Sequence, residues 1–271
     1  MAARLAVLAL LALFALATTA RADAPDYAKL FAGRDACFEL VDVATAKLVE
    51  RYDAPRCAVR TSPCSTFKVP LALMAFDAGI LEDETSSMRW DGKDHGRASW
   101  NRDQTAASWM RDSVVWFSQR LTPKLGLARV RQYLARFDYG NQDFSGGLTT
   151  AWLGSSLEIS PDEQVSFWRR WWRGELEVSR RADELTRRIT LVDASPAGGT
   201  LHGKTGSCNL PKTPGRYLGW YVGHVGRGER SYVFVVSYTD RDPPTDHRPP
   251  GFIARELALR ILGTLGMYSP P

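Results

Sequence analysis

The chain has 271 residues, 44% of them apolar and 24% charged, with a formal net charge of +5. That composition excludes a disordered, collagen-like or coiled-coil protein, and a single long apolar run excludes a multi-span membrane protein. Acidic and basic residues are interspersed without a Lys/Arg tract, so the mild positive balance reads as a solubility feature, and no nucleic-acid partner is expected.

In chain order, residues 1–22 read as a secretory signal. Arg4 supplies the positive start, Leu5 to Ala17 is an apolar run too short to span a bilayer comfortably, and Ala20-Arg21-Ala22 offers small residues at the cleavage positions. A mature domain of residues 23–271, free of the membrane after cleavage and periplasmic in a Gram-negative bacterium, is expected. Residues 36–52 alternate and carry β-branched side chains, the pattern of a hairpin. Helical spacing dominates the middle: Leu71 to Leu81, Leu125 to Phe137, and Ser160 to Trp172, where Ser160 caps and Pro161 occupies the first turn. Tyr217 to Val225 and Ser231 to Tyr238 flank the turn Gly226-Arg227-Gly228-Glu229 as a second hairpin, and Phe252 to Leu265 is a closing amphipathic helix. Strands at both ends and helices between them predict an α+β protein. An antiparallel sheet built from about 23–60 and 196–271 is flanked by helices, with a helical lobe of about 65–195 inserted.

Cys37, Cys57, Cys64 and Cys208 allow three full pairings in an exported chain. The short loop between Cys57 and Cys64 makes that pair the preferred bridge. The spacings match no structural zinc site, and His95, His202, His224 and His247 are scattered, so no metal is expected.

Three short segments carry chemistry. Ser65-Thr66-Phe67-Lys68 places a hydroxyl and an amine at i and i+3, on one helix face. Ser113-Val114-Val115 follows about fifty residues on, and alone would be ordinary packing. Lys204-Thr205-Gly206-Ser207 lies on a predicted strand, where Lys and Thr suit a carboxylate and Gly206 allows a ligand close to the backbone. Each is weak alone; their order and spacing are not.

With Asp112-Ser113-Val114-Val115-Trp116-Phe117, Tyr139-Gly140-Asn141, Ala151-Trp152-Leu153 and Leu218-Gly219-Trp220-Tyr221-Val222-Gly223, the chain resembles the class D (oxacillinase-type) serine β-lactamases over the whole mature length. The resemblance implies the serine β-lactamase/transpeptidase fold and hydrolysis of penicillins of the oxacillin type through an acyl-serine, and hence antibiotic resistance. No glutamate follows the second motif in an E-x-x-L-N pattern; Glu158 and Glu163 read as helix-flanking, which leaves Lys68 as the base. Burial would lower its pKa from near ~10.4. Val115, where related transpeptidases carry Asn, offers an ammonium no polar partner. The family implies that the neutral amine adds carbon dioxide to become N6-carboxylysine, held by the Trp152 indole; bicarbonate is then the only added requirement. It further implies Ser65 as nucleophile, Ser113 as proton relay and Lys204 as local positive charge. Thr205 and Arg255 are then carboxylate anchors, and the N–H groups of Ser65 and Ser207 an oxyanion hole. Tyr139-Gly140-Asn141 reads either as site wall or as structural turn. A cell-wall transpeptidase and a β-lactam sensor that stays acylated are the competing readings. The expected partner is a small β-lactam, and a homodimer is left open.

Overall fold

A computed structural model describes residues 24–195, 199–210, 215–240 and 248–269. The signal segment 1–22 lies outside the described residues, as does most of the proline-rich stretch from Arg241.

The elements run as follows. Helix α1 (Tyr27–Leu30) leads into the hairpin β1 (Arg34–Asp42) and β2 (Leu48–Tyr52), then α2 (Ala54–Cys57). A 3-10 turn at Cys64–Phe67 continues into α3 (Lys68–Asp77). Next come β3 (Ser87–Met88), a 3-10 turn at Ala98–Trp100, β4 (Gln104–Thr105), α4 (Ala106–Asp112), α5 (Val115–Leu125) and α6 (Leu127–Arg136). Helices α7 (Pro161–Trp172) and α8 (Arg180–Thr190) precede β5 (Leu191–Ser195), β6 (Gly199–Asn209), β7 (Tyr217–Arg227), β8 (Arg230–Asp240) and α9 (Pro250–Thr264).

Among the described residues, six strands form one antiparallel sheet in the order β2-β1-β8-β7-β6-β5, so the first hairpin pairs with the C-terminal strand β8. Alternation along each strand splits the core into two layers. Trp220, Val222, Val233 and Val235 face the inserted helices, while Tyr221, Phe234, Val236 and Tyr238 face α9 through Ile253, Leu257 and Ile261. The inserted region also holds a two-residue ladder, Ser87↔Thr105 and Met88↔Gln104, and its end supplies β5 to the sheet edge. Ser160 caps α7 with a reciprocal Glu163 bond and Pro161 at the first position. The stretch Leu125 to Phe137 is not one helix: Gly126, at φ 78°, separates α5 from α6. Pro70 fits because it lies in the first turn of α3, where its missing N–H has no intrahelical partner. No helix among the described residues is long and apolar enough to cross a membrane.

The disulfides differ from the short-loop expectation. Cys37 bonds Cys57, and Cys64 bonds Cys208. Tertiary geometry overrides sequence proximity here: α2 packs on β1, while the turn at Cys64–Phe67 packs on β6. Between them, Thr61 is tied across to Ile159 by paired backbone bonds, which holds Cys57 and Cys64 in separate surroundings.

Candidate active site

The turn Cys64–Phe67 presents Ser65 half-buried, and Lys68 starts α3 one turn later. Lys68 Nζ donates to Ser65 Oγ at 3.3 Å, and the lysine is only 1% exposed. Burial, then the positive charges of Lys204 and Arg97, hold the Lys68 amine well below the usual lysine range. An uncharged amine beside a hydroxyl can take its proton.

Phe67 stacks on Trp152 with ring centroids 5.4 Å apart, Phe144 packs on Trp152 at 5.9 Å, and the two phenylalanines meet each other at 5.8 Å. Trp152 is fully buried, yet its Nε1 has no hydrogen-bond partner among the described residues. A buried N–H without an acceptor is uncommon and costs free energy. Ser62 fixes the Trp152 loop: its Oγ donates to the Trp152 carbonyl at 2.8 Å and accepts from the Gly154 N–H at 2.9 Å.

Ser113 ends α4 in the left-handed region at φ 58°, a conformation that costs a non-glycine residue about 1–3 kcal/mol and concentrates at functional sites. Lys204 Nζ, from β6, donates to Ser113 Oγ at 3.0 Å and to the Thr205 carbonyl at 3.0 Å. Burial, then the charge of Arg97, brings the Lys204 amine down to about 7. Ser65, Ser113, Val115, Thr205 and Ser207 line one cavity of about 250 Å³, with Arg97, Trp100, Arg111 and Phe252 on its rim. The Ser207 hydroxyl accepts the Gly251 N–H at 2.9 Å, which fixes the start of α9 over β6.

Two expected site residues are placed differently. Gly206 does not open the strand to a ligand. A Cβ there would stand 3.1 Å from the Pro63 carbonyl, from Thr66 Cγ2 and from Trp220 Cβ, so the glycine lets β6 close onto the Ser65 turn. Arg255 does not line the Ser65 cavity. It lines an adjoining hollow of about 320 Å³ with Leu191, Val192 and Lys204, which shares Arg111, Thr205 and Phe252 with the first cavity. Tyr139-Gly140-Asn141 is a turn behind the site. Tyr139 meets Phe67 edge-on, and a Cβ on Gly140 would fall 2.1 Å from the Glu158 carbonyl. Asn141 bonds Ser156 and Glu158, pinning the Trp152 loop. Glu163 caps α7 and pairs with Arg60 rather than reaching Ser65.

Arg97 and Ser62 carry no signal in the sequence. Arg97 is brought in by its loop: its guanidinium lies 4.9 Å over the Trp100 ring, and the Trp100 indole donates to the Asp112 carbonyl at 2.8 Å. Among the described residues, the one grouping with metal-ligating reach is Glu39, Cys57 and Asp162. Cys57 is committed to its disulfide, and Arg51 donates to Glu39 at 2.5 Å and to Asp162 at 3.2 Å.

Residues 37–262 match the penicillin binding protein transpeptidase domain. β-Lactamase OXA-1 of Escherichia coli is 39% identical over 247 residues, which cover 88% of this chain and 87% of that protein. The class D β-lactamase BAT-2 superposes with a TM-score of 0.81 at 34% identity, over 91% of this chain and 98% of that one. The C-terminal domain of the Bacillus licheniformis BlaR penicillin receptor does so with a TM-score of 0.83 at 31% identity, over 91% and 97%.

Proposed function

This chain belongs to the class D β-lactamases, within the penicillin-binding transpeptidase family, and on that footing we propose that it hydrolyses the β-lactam amide of penicillins of the oxacillin type through an acyl-Ser65 intermediate. The observation that carries the reading is the buried Lys68 amine 3.3 Å from Ser65, with Ser113, which accepts from Lys204, lining the same cavity. Lys68 removes the Ser65 proton as the hydroxyl attacks the carbonyl carbon. The N–H groups of Ser65 and Ser207 receive the oxygen that becomes negative, each donor worth about 3–4 kcal/mol of barrier. Ser113, bonded to Lys204, returns a proton to the departing ring nitrogen. Thr205 and the positive field of Lys204 hold the substrate carboxylate, and Arg255 adds a longer-range attraction from the adjoining hollow.

Two features support a carbamate on Lys68: burial disfavours the charged form of its amine, and Trp152 offers a buried N–H lacking an acceptor. Carboxylated Lys68 would supply a general base for both acylation and deacylation. Two disulfides and the apolar start of the chain support export to an oxidising compartment such as the periplasm.

A second reading is favoured by the receptor-domain likeness: a sensor that is acylated and stays so. The test is a spectrophotometric assay of purified protein with a penicillin and a chromogenic cephalosporin, with and without bicarbonate. Steady turnover raised by bicarbonate supports hydrolysis. A single burst without turnover supports the sensor, and no acylation at all overturns both.

A further inference from the structure

One disulfide brackets the reacting centre. Cys64 immediately precedes Ser65, Cys208 immediately follows Ser207, and the two sulfurs are bonded. The bond therefore joins the turn that carries the nucleophile to the strand that carries the second oxyanion donor. Other features show how tightly this junction is drawn. Cys64 is a non-glycine residue at φ 51°, a left-handed conformation that persists only where the surroundings enforce it. Strand β6 passes so near the turn that Gly206 has no room for a methyl group without displacing Pro63, Thr66 or Trp220. On the neighbouring strand, the Trp220 indole donates to the Ser62 carbonyl at 3.0 Å. Ser62 Oγ in turn accepts a long bond from the Cys64 N–H at 3.4 Å. The junction is thus one covalent bond backed by a few hydrogen bonds.

We infer that the Cys64–Cys208 bridge is a positioning device for the oxyanion site, fixing the separation of the Ser65 and Ser207 N–H groups, and that its loss lowers turnover while leaving the fold in place. The inference rests on the reading of those two N–H groups as the oxyanion donors. The fold persists because β6 keeps its full ladder with β7, from Thr200↔Gly226 to Asn209↔Tyr217. The donor spacing is expected to relax, because the bridge is the one covalent link between the turn and β6, and the remaining restraints are hydrogen bonds and packing. The second bridge, Cys37–Cys57, joins β1 to α2 away from the cavity and serves as the internal control.

The experiment compares Cys208→Ser and Cys208→Ala with the double variant Cys37→Ala/Cys57→Ala in the oxidised mature chain. The readouts are kcat and KM for a penicillin, the inhibition constant of phenylboronic acid, whose tetrahedral serine adduct places an oxygen in the oxyanion site, and a thermal melt. Both Cys208 variants are expected to melt cooperatively, with kcat lowered about ten- to a hundredfold, as for a misplaced catalytic dipole. Boronate binding is expected to weaken in proportion, with KM far less changed. The control double variant is expected to keep wild-type kcat and boronate affinity. Cys208 variants that retain both values overturn the inference. Should they fail to fold, the Cys37→Ala/Cys57→Ala protein, in which Cys64–Cys208 is the remaining bridge, is treated with dithiothreitol and compared with its untreated form. The dithiol passes two electrons and two protons to the bridge, leaving two thiols and its own cyclic disulfide, and alkylation with mass spectrometry counts the thiols. Undiminished kcat with Cys64 and Cys208 reduced overturns the inference; kcat that falls in step with their reduction supports it. Wild-type protein that a penicillin never acylates refutes the functional reading instead.

Discussion

Replacing Trp152 by phenylalanine leaves a ring against Phe67 and Phe144 and removes a buried indole N–H that lacks an acceptor. If that N–H holds the carbamate of Lys68, the lost bond is one to a charged group, worth about 1.5–3 kcal/mol. At 1.4 kcal/mol per tenfold, carbon dioxide uptake weakens by roughly 10- to 150-fold. The assay is the penicillin hydrolysis rate against added bicarbonate at fixed pH, with a carbon-13 NMR titration of the carbamate alongside. Trp152→Phe is expected to be poorly active in degassed buffer, to need far more bicarbonate for half-maximal rate than wild type, and to recover at saturation. The smaller ring also leaves a void, but that loss appears in the melting temperature and not in the bicarbonate midpoint. An unchanged half-saturation point would refute the assignment of the indole, whatever happened to stability.

Lys68→Ala is expected to lose about 10²–10⁴-fold in turnover, the usual worth of a positioned base; intact-mass spectrometry checks for accumulated acyl-enzyme, and a near wild-type penicillin rate would place the base elsewhere. His224, stacked on Trp172 at 3.8 Å between centroids, is held down to about 2, and His202 to about 4, both mainly by burial. Each is neutral in the fold and charges at its ordinary 6.5 when unfolded. The stability they carry is therefore complete above pH 6.5 and drains away as pH falls toward 4. His224→Phe should flatten the fall of unfolding free energy in that window by up to about 1.4 kcal/mol per pH unit, read by urea denaturation at several pH values. Glu39, raised to about 7 by burial, is common to both proteins and cancels in the difference, so parallel curves would contradict the account. Removing Cys37–Cys57, which closes a separation of 20 residues, should cost about 3 kcal/mol by chain entropy and lower the melting temperature without touching kcat.

The residues that face each other within one turn or along one strand were legible in the sequence. Ser65 and Lys68 are brought together by helix geometry alone, and Lys204, Thr205 and Ser207 by a strand whose ends were readable from glycine and alternation. The two hairpins and the capped helix α7 were legible for the same local reason. What depends on how separate segments approach was not. The cysteine pairing went against sequence proximity because α2 and the Ser65 turn face different strands. Gly206 suggested an opening for ligand, whereas its bare Cα accommodates Pro63 and Thr66. Arg255 was read as a carboxylate anchor; α9 places it in the hollow that adjoins the Ser65 cavity and shares Thr205 with it. Arg97 depresses two lysines only because Trp100, held by Asp112, carries its loop over the site.

The sheet order has a consequence for how the protein is made. Strand β1 lies between β2 and β8, with Asp42 against Tyr232 and Arg34 against Asp240. One strand partner and the α9 side of its covering therefore arrive only when nearly the whole polypeptide has been synthesised, although α2 and α7 also pack on it. Helices of the insert can form early, but the central ladder must wait for the C-terminal strands, a high-contact-order closure that is slow and leaves edges exposed meanwhile. Truncation before Arg230 would leave β1 without its neighbour β8 and strand the first hairpin.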